Sequence, residues 1–257
     1  MALPDLELLE GVRFNSGQKV LNTGPGTACR TMELAQRLGP TSVVYGLLSE
    51  KKNFYTIPKK CTLHGWDNIE LFQGKPDQLP FADSYFDLIL YVCNYSGMQQ
   101  LGGALSEAAR VAKSSAQFLL SVPLKDTLKE YHTMMEDLLR ANHMFKEAET
   151  FQEVKRLRQK PLKEVEAELK NTGLCISEIT LRQYSISFLD GTAFLNHWMV
   201  KEELIPDWDL FLNGTGRETF SRLVENRLNE ISGQQRALVF NMPFAVLDCS
   251  LNNQKDR

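Results

Sequence analysis

Two closely spaced glycines, Gly24 and Gly26, stand where a short apolar run gives way to a segment with helical spacing. The run that ends at Leu21 predicts a strand, and the spacing of Leu34 and Leu38 predicts a helix behind the glycines. Because glycine has no Cβ, such a turn can approach a ligand closely, and the free N–H groups that open the helix can bind its carboxylate or hydroxyls. The turn is a candidate cradle for a nucleotide or nucleoside. The alternative is a turn in which glycine serves close packing alone.

Further apolar runs after the glycine turn predict the elements that position it. Strands are predicted at 41–48, 68–73, 86–92 and 117–122, with helical spacing at 101–112. Strands that alternate with helices in short units predict an α/β fold, a doubly wound and mostly parallel sheet whose ligands bind at the carboxyl ends of the strands. The segment 51–60 contains a proline and predicts a broken helix.

The second half of the chain has a different pattern. Charged helices are predicted at 128–141, 145–159, 161–172, 192–204 and 217–231, and strands at 174–188 and 236–246, where Pro243 indicates an edge or a bulge. We therefore expect residues 1–124 to form a Rossmann-like, cofactor-binding half. Residues 125–249 are expected to add a helical cover and the last strands, and residues 250–257 a disordered tail.

Composition narrows the class of protein. The 257 residues carry a net charge of -3 and are 43% hydrophobic, as in ordinary globular proteins. No basic surface is indicated, which argues against a nucleic-acid partner. No run approaches the roughly 20 apolar residues of a membrane span. The five scattered cysteines form no C-x-x-C pair, so we expect reduced thiols, no metal site and a cytoplasmic protein.

Four segments in this order resemble a known family: V-L-N-T-G-P-G-T-A, V-V-Y-G-L-L-S-E, N-I-E-L-F-Q-G-K-P-D-Q-L-P-F and F-D-L-I-L-Y-V-C-N. They are similar to the seven-stranded, class I S-adenosylmethionine-dependent methyltransferases, in particular the small-molecule branch. The resemblance covers about residues 11–122. It implies a seven-stranded sheet, S-adenosylmethionine as cofactor, a cradle at Gly24, Gly26 and Thr27, and Tyr91 near the transferred methyl group.

The sequence departs from the family where acids are expected. Asn22 stands at the end of the first strand. Lys75 stands in the loop after the third strand, where the resemblance implies an acid that faces the adenine amino group, although Asp77 is close. The second strand lacks the usual ribose-binding acid unless Glu50 reaches the ribose. A charged hydrogen bond contributes about 1.5 to 3 kcal/mol, so losing the bidentate ribose contact alone should weaken cofactor binding by about tenfold to a hundredfold. Asn22, Glu50 and Asp77 remain the candidates for these positions.

Candidates for the substrate side are Cys93, His197 and Trp198. Cys93 follows the central strand, near the methyl group by analogy, whereas a lone cysteine there also fits a small core residue. His197 and Trp198 lie in G-T-A-F-L-N-H-W, which looks like part of the helical cover in some family members. A half-buried histidine satisfied by backbone is the alternative for His197, and packing is the alternative for Trp198.

Two hypotheses follow. The first is an S-adenosylmethionine-dependent methyltransferase that acts on a small molecule, with no catalytic base required because methyl transfer needs mainly alignment. The second is a catalytically inactive relative that keeps the fold as a binding or scaffolding module and has a protein partner.

Overall fold

The structure is a computed structural model that describes residues 3–24, 27–48, 66–212 and 216–252, without the side chains of residues 3–6 and 27–28. None of the helices in these ranges is long and apolar enough to cross a lipid bilayer. The predicted broken helix at 51–60 lies outside the described residues.

Seven strands alternate with helices along the chain. The strands are β1 (Lys19–Thr23), β2 (Val43–Leu48), β3 (Ile69–Gln73), β4 (Phe86–Val92), β5 (Ala112–Pro123), β6 (Leu174–Phe188) and β7 (Leu238–Leu251). The described α-helices are α1 (Leu3–Glu10), α2 (Thr27–Leu38), α3 (Leu101–Val111), α4 (Lys129–Ala141), α5 (Phe145–Arg158), α6 (Leu162–Asn171), α7 (Gly191–Asn196), α8 (Ile205–Phe211) and α9 (Arg217–Gln235). A 3-10 helix (Ser96–Gln100) precedes α3, and a π-helical turn (Val200–Leu204) precedes α8.

The strands form one sheet in the order β3-β2-β1-β4-β5-β7-β6. Parallel pairing joins β1 to β2 and β4, β2 to β3, and β4 to β5, and the carboxyl-terminal hairpin is antiparallel. The predicted doubly wound, mostly parallel seven-stranded sheet is confirmed. Strand order reverses between β1 and β4, and in open α/β sheets ligands bind outside the carboxyl ends of the strands at such a switch point.

Burial explains why the central strands have continuous apolar sequences. Four of the five residues of β1, five of the six in β2 and six of the seven in β4 are buried. Strands in the middle of a parallel sheet are covered on both faces, so apolar residues are favoured at every position rather than at alternate ones. The edge strand β3 has no fully buried residue.

Contacts divide the chain into two compact units. The first comprises residues 1–122, 162–182 and 244–257, and the second comprises residues 123–161 and 183–243. The second unit has its own aromatic core, which includes Phe194, Phe211 and Phe220, all buried. In this unit the indole N–H of Trp208 donates a hydrogen bond of 2.9 Å to the Tyr131 hydroxyl.

The structure corrects several sequence predictions. The helix predicted at 192–204 is interrupted, because α7 ends at Asn196 and a π-helical turn follows, and α8 was missed. β7 runs to Leu251, two residues into the segment expected to be a disordered tail. Pro243 does not mark a sheet edge, since β7 lies between β5 and β6. Its carbonyl accepts hydrogen bonds from the Leu124 N–H and the Thr127 hydroxyl.

Candidate functional site

The switch point brings together the ends of β1 and β4. Thr23 pairs with Tyr91 at the last register position of the two strands, so the glycine turn and the segment after β4 start side by side. Asn22, Gly24, Tyr91 and Cys93 therefore lie at one edge of the first unit, at the carboxyl ends of the parallel strands, where the sequence predicted that ligands bind. This edge is the candidate active site.

Gly24 is required by a close approach of two backbones. Its φ is +98°, and a Cβ at this position would lie 1.9 Å from the Val92 carbonyl oxygen. Any side chain would collide with the end of β4, whatever ligand is bound. The described structure thus supports close packing as at least one reason for this glycine, which was the alternative left open by the sequence.

Asn22 is engaged in a buried polar cluster. Its Oδ1 accepts a hydrogen bond of 2.9 Å from Arg30 Nε, and its Nδ2 donates one of 2.8 Å to Thr31 Oγ1. Arg30 also donates from Nη2 to the Thr23 carbonyl oxygen at 2.9 Å. The side chains of Asn22, Arg30 and Thr31 are completely buried. The amide at the position of the family acid is therefore committed to a buried guanidinium.

The loop after β3 is held by α3. Arg110 donates hydrogen bonds to the carbonyl oxygens of Leu79 and Phe81, at 3.1 and 2.8 Å, while Glu107 accepts one from the Leu79 N–H. The Arg110 guanidinium at 2.8 Å holds the pKa of Glu107 below its usual value. Two charged side chains of one helix thus fix the L-P-F segment, and through it the turn that carries Asp77.

An aromatic cluster fixes the other side of this loop. The Phe81 ring packs edge-on against the rings of Tyr45, Phe72 and Phe86, with centroids 4.8 to 5.4 Å apart. Tyr45 and Phe86 belong to β2 and β4, so the loop is anchored on the sheet itself. These contacts hold the L-P-F segment against β2 and β4.

Asp77 and Lys75 are both exposed at the tip of the loop. Lys75 and Gln78 form a small antiparallel bridge, and the Gln78 N–H donates to the Lys75 carbonyl oxygen at 3.2 Å. Asp77 lies against α3, because a Cβ on Gly103 would come within 3.3 Å of the Asp77 Cβ. The loop therefore presents one carboxylate and one ammonium group to solvent.

Tyr91 and Cys93 are buried at the end of β4. Burial raises the pKa of Tyr91 well above its usual value, with smaller contributions from Cys93 and Asp77. Tyr91 therefore stays a neutral phenol and a hydrogen-bond donor. The Cys93 thiol lies 3.6 Å from the Met98 sulfur, which fits the small core residue that the sequence left open as an alternative. Asn94 accepts a hydrogen bond from the Gly97 N–H at 3.0 Å and so fixes the start of the 3-10 helix.

His197 and Trp198 belong to the second unit. The His197 ring is half-buried beside Phe188, with centroids 5.2 Å apart, and its Nδ1 is a buried atom without a hydrogen-bond partner within the described residues. Burial lowers the pKa of His197. Trp198 is 54% exposed. Their substrate-side role stays a prediction.

Three predicted cofactor residues are not fully described. Gly26 and Glu50 lie outside the described residues, and Thr27 is described only as the first residue of α2. Within the described ranges no three His, Cys, Asp or Glu side chains are grouped as a metal site would require.

Known proteins similar to this chain include methyltransferases. A family model described as a methyltransferase domain matches residues 20–115. Demethylmenaquinone methyltransferase from Geobacillus stearothermophilus is 30% identical over 107 residues, which are 42% of this chain and 46% of that protein. The chain therefore spans about half the length of the curated relatives it matches.

Solved structures match over nearly the whole chain. The YcgJ protein from Bacillus subtilis superimposes with a TM-score of 0.62 at 16% identity, covering 97% of this chain and 98% of that one. Residues 20–115 therefore carry the pattern of a methyltransferase domain, and the chain has the Rossmann-like fold of class I S-adenosylmethionine-dependent methyltransferases. Geranyl diphosphate methyltransferase in complex with S-adenosylmethionine has the same fold, with a TM-score of 0.56 at 11% identity over 96% of this chain and 84% of that one.

The described residues fit the family cofactor at one end of the site and depart from it at the other. Asp77 is a solvent-facing carboxylate on the loop that the resemblance assigns to the adenine amino group. At the end of β1 the family acid is replaced by the neutral Asn22, which is bonded to the cation Arg30. The sulfonium and ammonium groups of S-adenosylmethionine favour a carboxylate at this position, whereas the Asn22 oxygen is neutral and already accepts a hydrogen bond from Arg30.

Arg30 is a buried residue of this edge that the sequence analysis did not single out. It stands four residues before Leu34, which the sequence placed on the apolar face of the helix, and residues four apart share a helix face. A charged residue on a buried face needs polar partners, and the structure supplies the Asn22 side chain and the Thr23 carbonyl oxygen. The spacing of Arg30 and Leu34 was the signal in the sequence.

Proposed function

We propose that this protein is an S-adenosylmethionine-dependent methyltransferase that acts on a small molecule. The observation that supports it most is the methyltransferase-domain match to residues 20–115, which covers the strands and turns of the switch point. The glycine turn, the Asp77 loop and the end of β4 then have the roles that their positions have in the family.

The chain's own residues would bind and orient the reactants. When bound, S-adenosylmethionine supplies an electrophilic methyl group. The backbone at Gly24, Gly26 and Thr27 forms the cradle in this proposal, with Asp77 facing the adenine amino group and Glu50 the ribose. Tyr91 and Cys93 are largely inaccessible and keep water from the floor of the site. Alignment of this kind can supply about 7 kcal/mol or more of the barrier reduction without a catalytic base.

A small acceptor is favoured by the relatives. The demethylmenaquinone and geranyl diphosphate methyltransferases are named for small molecules, and the chain's net charge of -3 offers no basic surface for a polynucleotide. We propose His197 and Trp198 as residues on the acceptor side, because one presents a buried nitrogen with no partner among the described residues and the other an exposed indole.

Thermal melting with ligands tests cofactor binding first. S-adenosylmethionine and S-adenosylhomocysteine at about a hundred times their dissociation constants should add about 2.7 kcal/mol, a rise of several degrees. Asp77→Asn should reduce the rise, whereas Asp67→Asn, an exposed aspartate just before β3, should not. The absence of any rise at millimolar ligand would refute cofactor binding. Transfer of labelled methyl to candidate small molecules then tests the activity.

The Asn22 and Arg30 cluster supports a second candidate, a non-catalytic relative that uses the fold to bind a protein partner. Its distinguishing expectation is that neither ligand raises the melting temperature in the wild type, whereas variants that restore an acid and remove Arg30 gain such a rise. A rise in the wild type accompanied by methyl transfer would exclude this candidate.

A further inference from the structure

β6 forms one end of the sheet in the described parts of the chain, where β7 is its neighbour. It is 15 residues long, and its sequence from Leu174 to Phe188 contains no proline, glycine or lysine. Natural edge strands of this length usually carry prolines, lysines or bulges that prevent pairing with another chain. β6 has neither prolines nor lysines.

Apolar side chains on this strand face solvent. Ile179 is 37% exposed and Leu181 is 58% exposed, and they lie two residues apart on one face. Residues 177–179 and 181–183 are all exposed. A strand that leaves such residues in water gains stability when a second strand covers them.

The segment is complementary to itself. In an antiparallel pair of two copies centred on Thr180, Glu178 of one copy stands opposite Arg182 of the other, and Ile179 stands opposite Leu181. Opposite charges and paired apolar side chains are the cross-strand neighbours that stabilise antiparallel sheets. This register follows from sequence positions alone, whichever set of backbone groups on β6 points outward.

We propose that two copies of this chain form a symmetric dimer by antiparallel pairing of residues 178–182 of β6. The contact is isologous, as a two-fold axis requires, because each copy contributes the same segment. The pair of Glu178 with Arg182 and the pair of Ile179 with Leu181 each form twice per dimer. The two sheets join edge to edge into one continuous sheet.

A contact within the first unit orients one of the paired charges. Arg182 Nε lies 3.2 Å from a carboxylate oxygen of Glu7, and the Arg182 side chain remains 47% exposed. The Glu7 carboxylate holds the arginine extended on the face of β6 that carries Thr180. Its Nη1 donates to the Leu181 carbonyl oxygen at 3.1 Å, which leaves Nη2 for Glu178 of the partner subunit.

Charge exchange on the purified full chain tests the register. Sedimentation of the wild type should detect a dimer at micromolar concentrations. Glu178→Arg and Arg182→Glu should each weaken association by about tenfold, because each turns attraction into repulsion twice per dimer. An equimolar mixture of these two variants should associate again, since the two changed chains are complementary to one another.

Glu70→Arg is the matched control, because Glu70 is exposed on β3 at the opposite edge of the sheet. It should leave association unchanged. Leu181→Lys adds a lysine to the edge strand and should weaken the dimer while leaving Glu178 and Arg182 unchanged. Melting temperature and circular dichroism at low concentration check that each variant is folded.

Hydrogen exchange tests the proposed strand pairing on the wild-type protein. The amides of residues 178–182 should become protected as wild-type concentration rises, with no comparable change in β3. A wild type that stays monomeric at about 100 μM would overturn the proposal. A dimer that is insensitive to both Glu178→Arg and Leu181→Lys would also overturn it and would assign the contact to another surface.

Discussion

Replacing Asn22 by aspartate is the sharpest test of the buried cluster at the end of β1. Asn22 Oδ1 lies 2.9 Å from Arg30 Nε, and Asn22 Nδ2 lies 2.8 Å from Thr31 Oγ1. The substitution keeps the size and shape of the side chain and exchanges an amide for a carboxylate. The Thr31 hydroxyl can rotate and donate to the new oxygen.

The magnitude follows from two opposing effects. Opposite charges about 4 Å apart attract by about 4 kcal/mol at an effective dielectric constant of 20. Burial of the carboxylate costs several kcal/mol, which cancels most of that gain. The remainder is the difference between a neutral and a charged hydrogen bond, about 1 kcal/mol. For a chain of this size we expect a rise in melting temperature of about 2 to 4 °C at pH 7.

The pH dependence checks the cause. Arg30 should lower the pKa of Asp at position 22 below its unfolded value of about 3.9. The added stability should be fully present above that value and be lost as the pH falls through the folded pKa. Thermal melts of variant and wild type from pH 7 to pH 3 measure this difference. The control Asn22→Leu removes the acceptor and should cost about 3 kcal/mol.

The same variant separates stability from cofactor binding. Because Arg30 holds the new carboxylate, Asn22→Asp alone should leave the melting shift with S-adenosylmethionine unchanged. Combined with Arg30→Leu it should strengthen binding by about tenfold relative to Arg30→Leu alone. If Asn22→Asp lowers the melting temperature at pH 7, or strengthens cofactor binding by itself, the reasoning about the cluster is wrong.

Three further predictions concern backbone space, a buried histidine and a buried ion pair. Gly24→Ala should cost more than about 3 kcal/mol in a thermal melt, because the Cβ would collide with backbone, whereas Gly17→Ala has a φ of +75° but open space and should cost about 1 kcal/mol. Burial lowers the pKa of His132 to about 3, with Lys155 adding to the effect. The stability that comes from keeping His132 neutral is therefore fully present above pH 6.5. Below pH 6.5 the free energy of unfolding should fall by up to roughly 1.4 kcal/mol per pH unit. His132→Leu should reduce this pH dependence in denaturant titrations. The Asp207 carboxylate is 11% exposed and lies 2.7 Å from Arg158 Nη2. Arg158→Met removes that partner from a buried charge and should lower the free energy of unfolding in urea by about 3 kcal/mol or more. The loss should be smaller when Asp207→Asn is combined with it.

The sequence predicted the sheet well because the central strands are buried on both faces. Such strands have continuous apolar runs that are easily located in the sequence, and the predicted bounds of β4 agree with the structure at both ends. The prediction was poorer at β5, which begins at Ala112 rather than at 117. Phe86 pairs with Ala112 and Leu88 with Gln117, so a bulge adds residues that no apolar pattern marks.

The predicted helix boundaries in the second unit were wrong for a related reason. The apolar spacing from Thr192 to Leu204 continues through the break at His197, because residues on both sides face the same core. Side-chain periodicity reports burial, and the backbone can change from α- to π-helical geometry without losing that face. The pattern therefore predicted one helix where the structure has two segments.

By itself the sequence predicted the fold, placed the candidate site at the carboxyl ends of the strands and showed the departures from the family motif, since these depend on local patterns and on the family resemblance. Tertiary structure alone decided what Asn22 contacts, why Gly24 must be glycine and which strand ends the sheet beside β7. The physical reason is that these properties depend on atoms brought together from distant parts of the chain. No local pattern places the Val92 carbonyl against Gly24, and only the packed sheet does so.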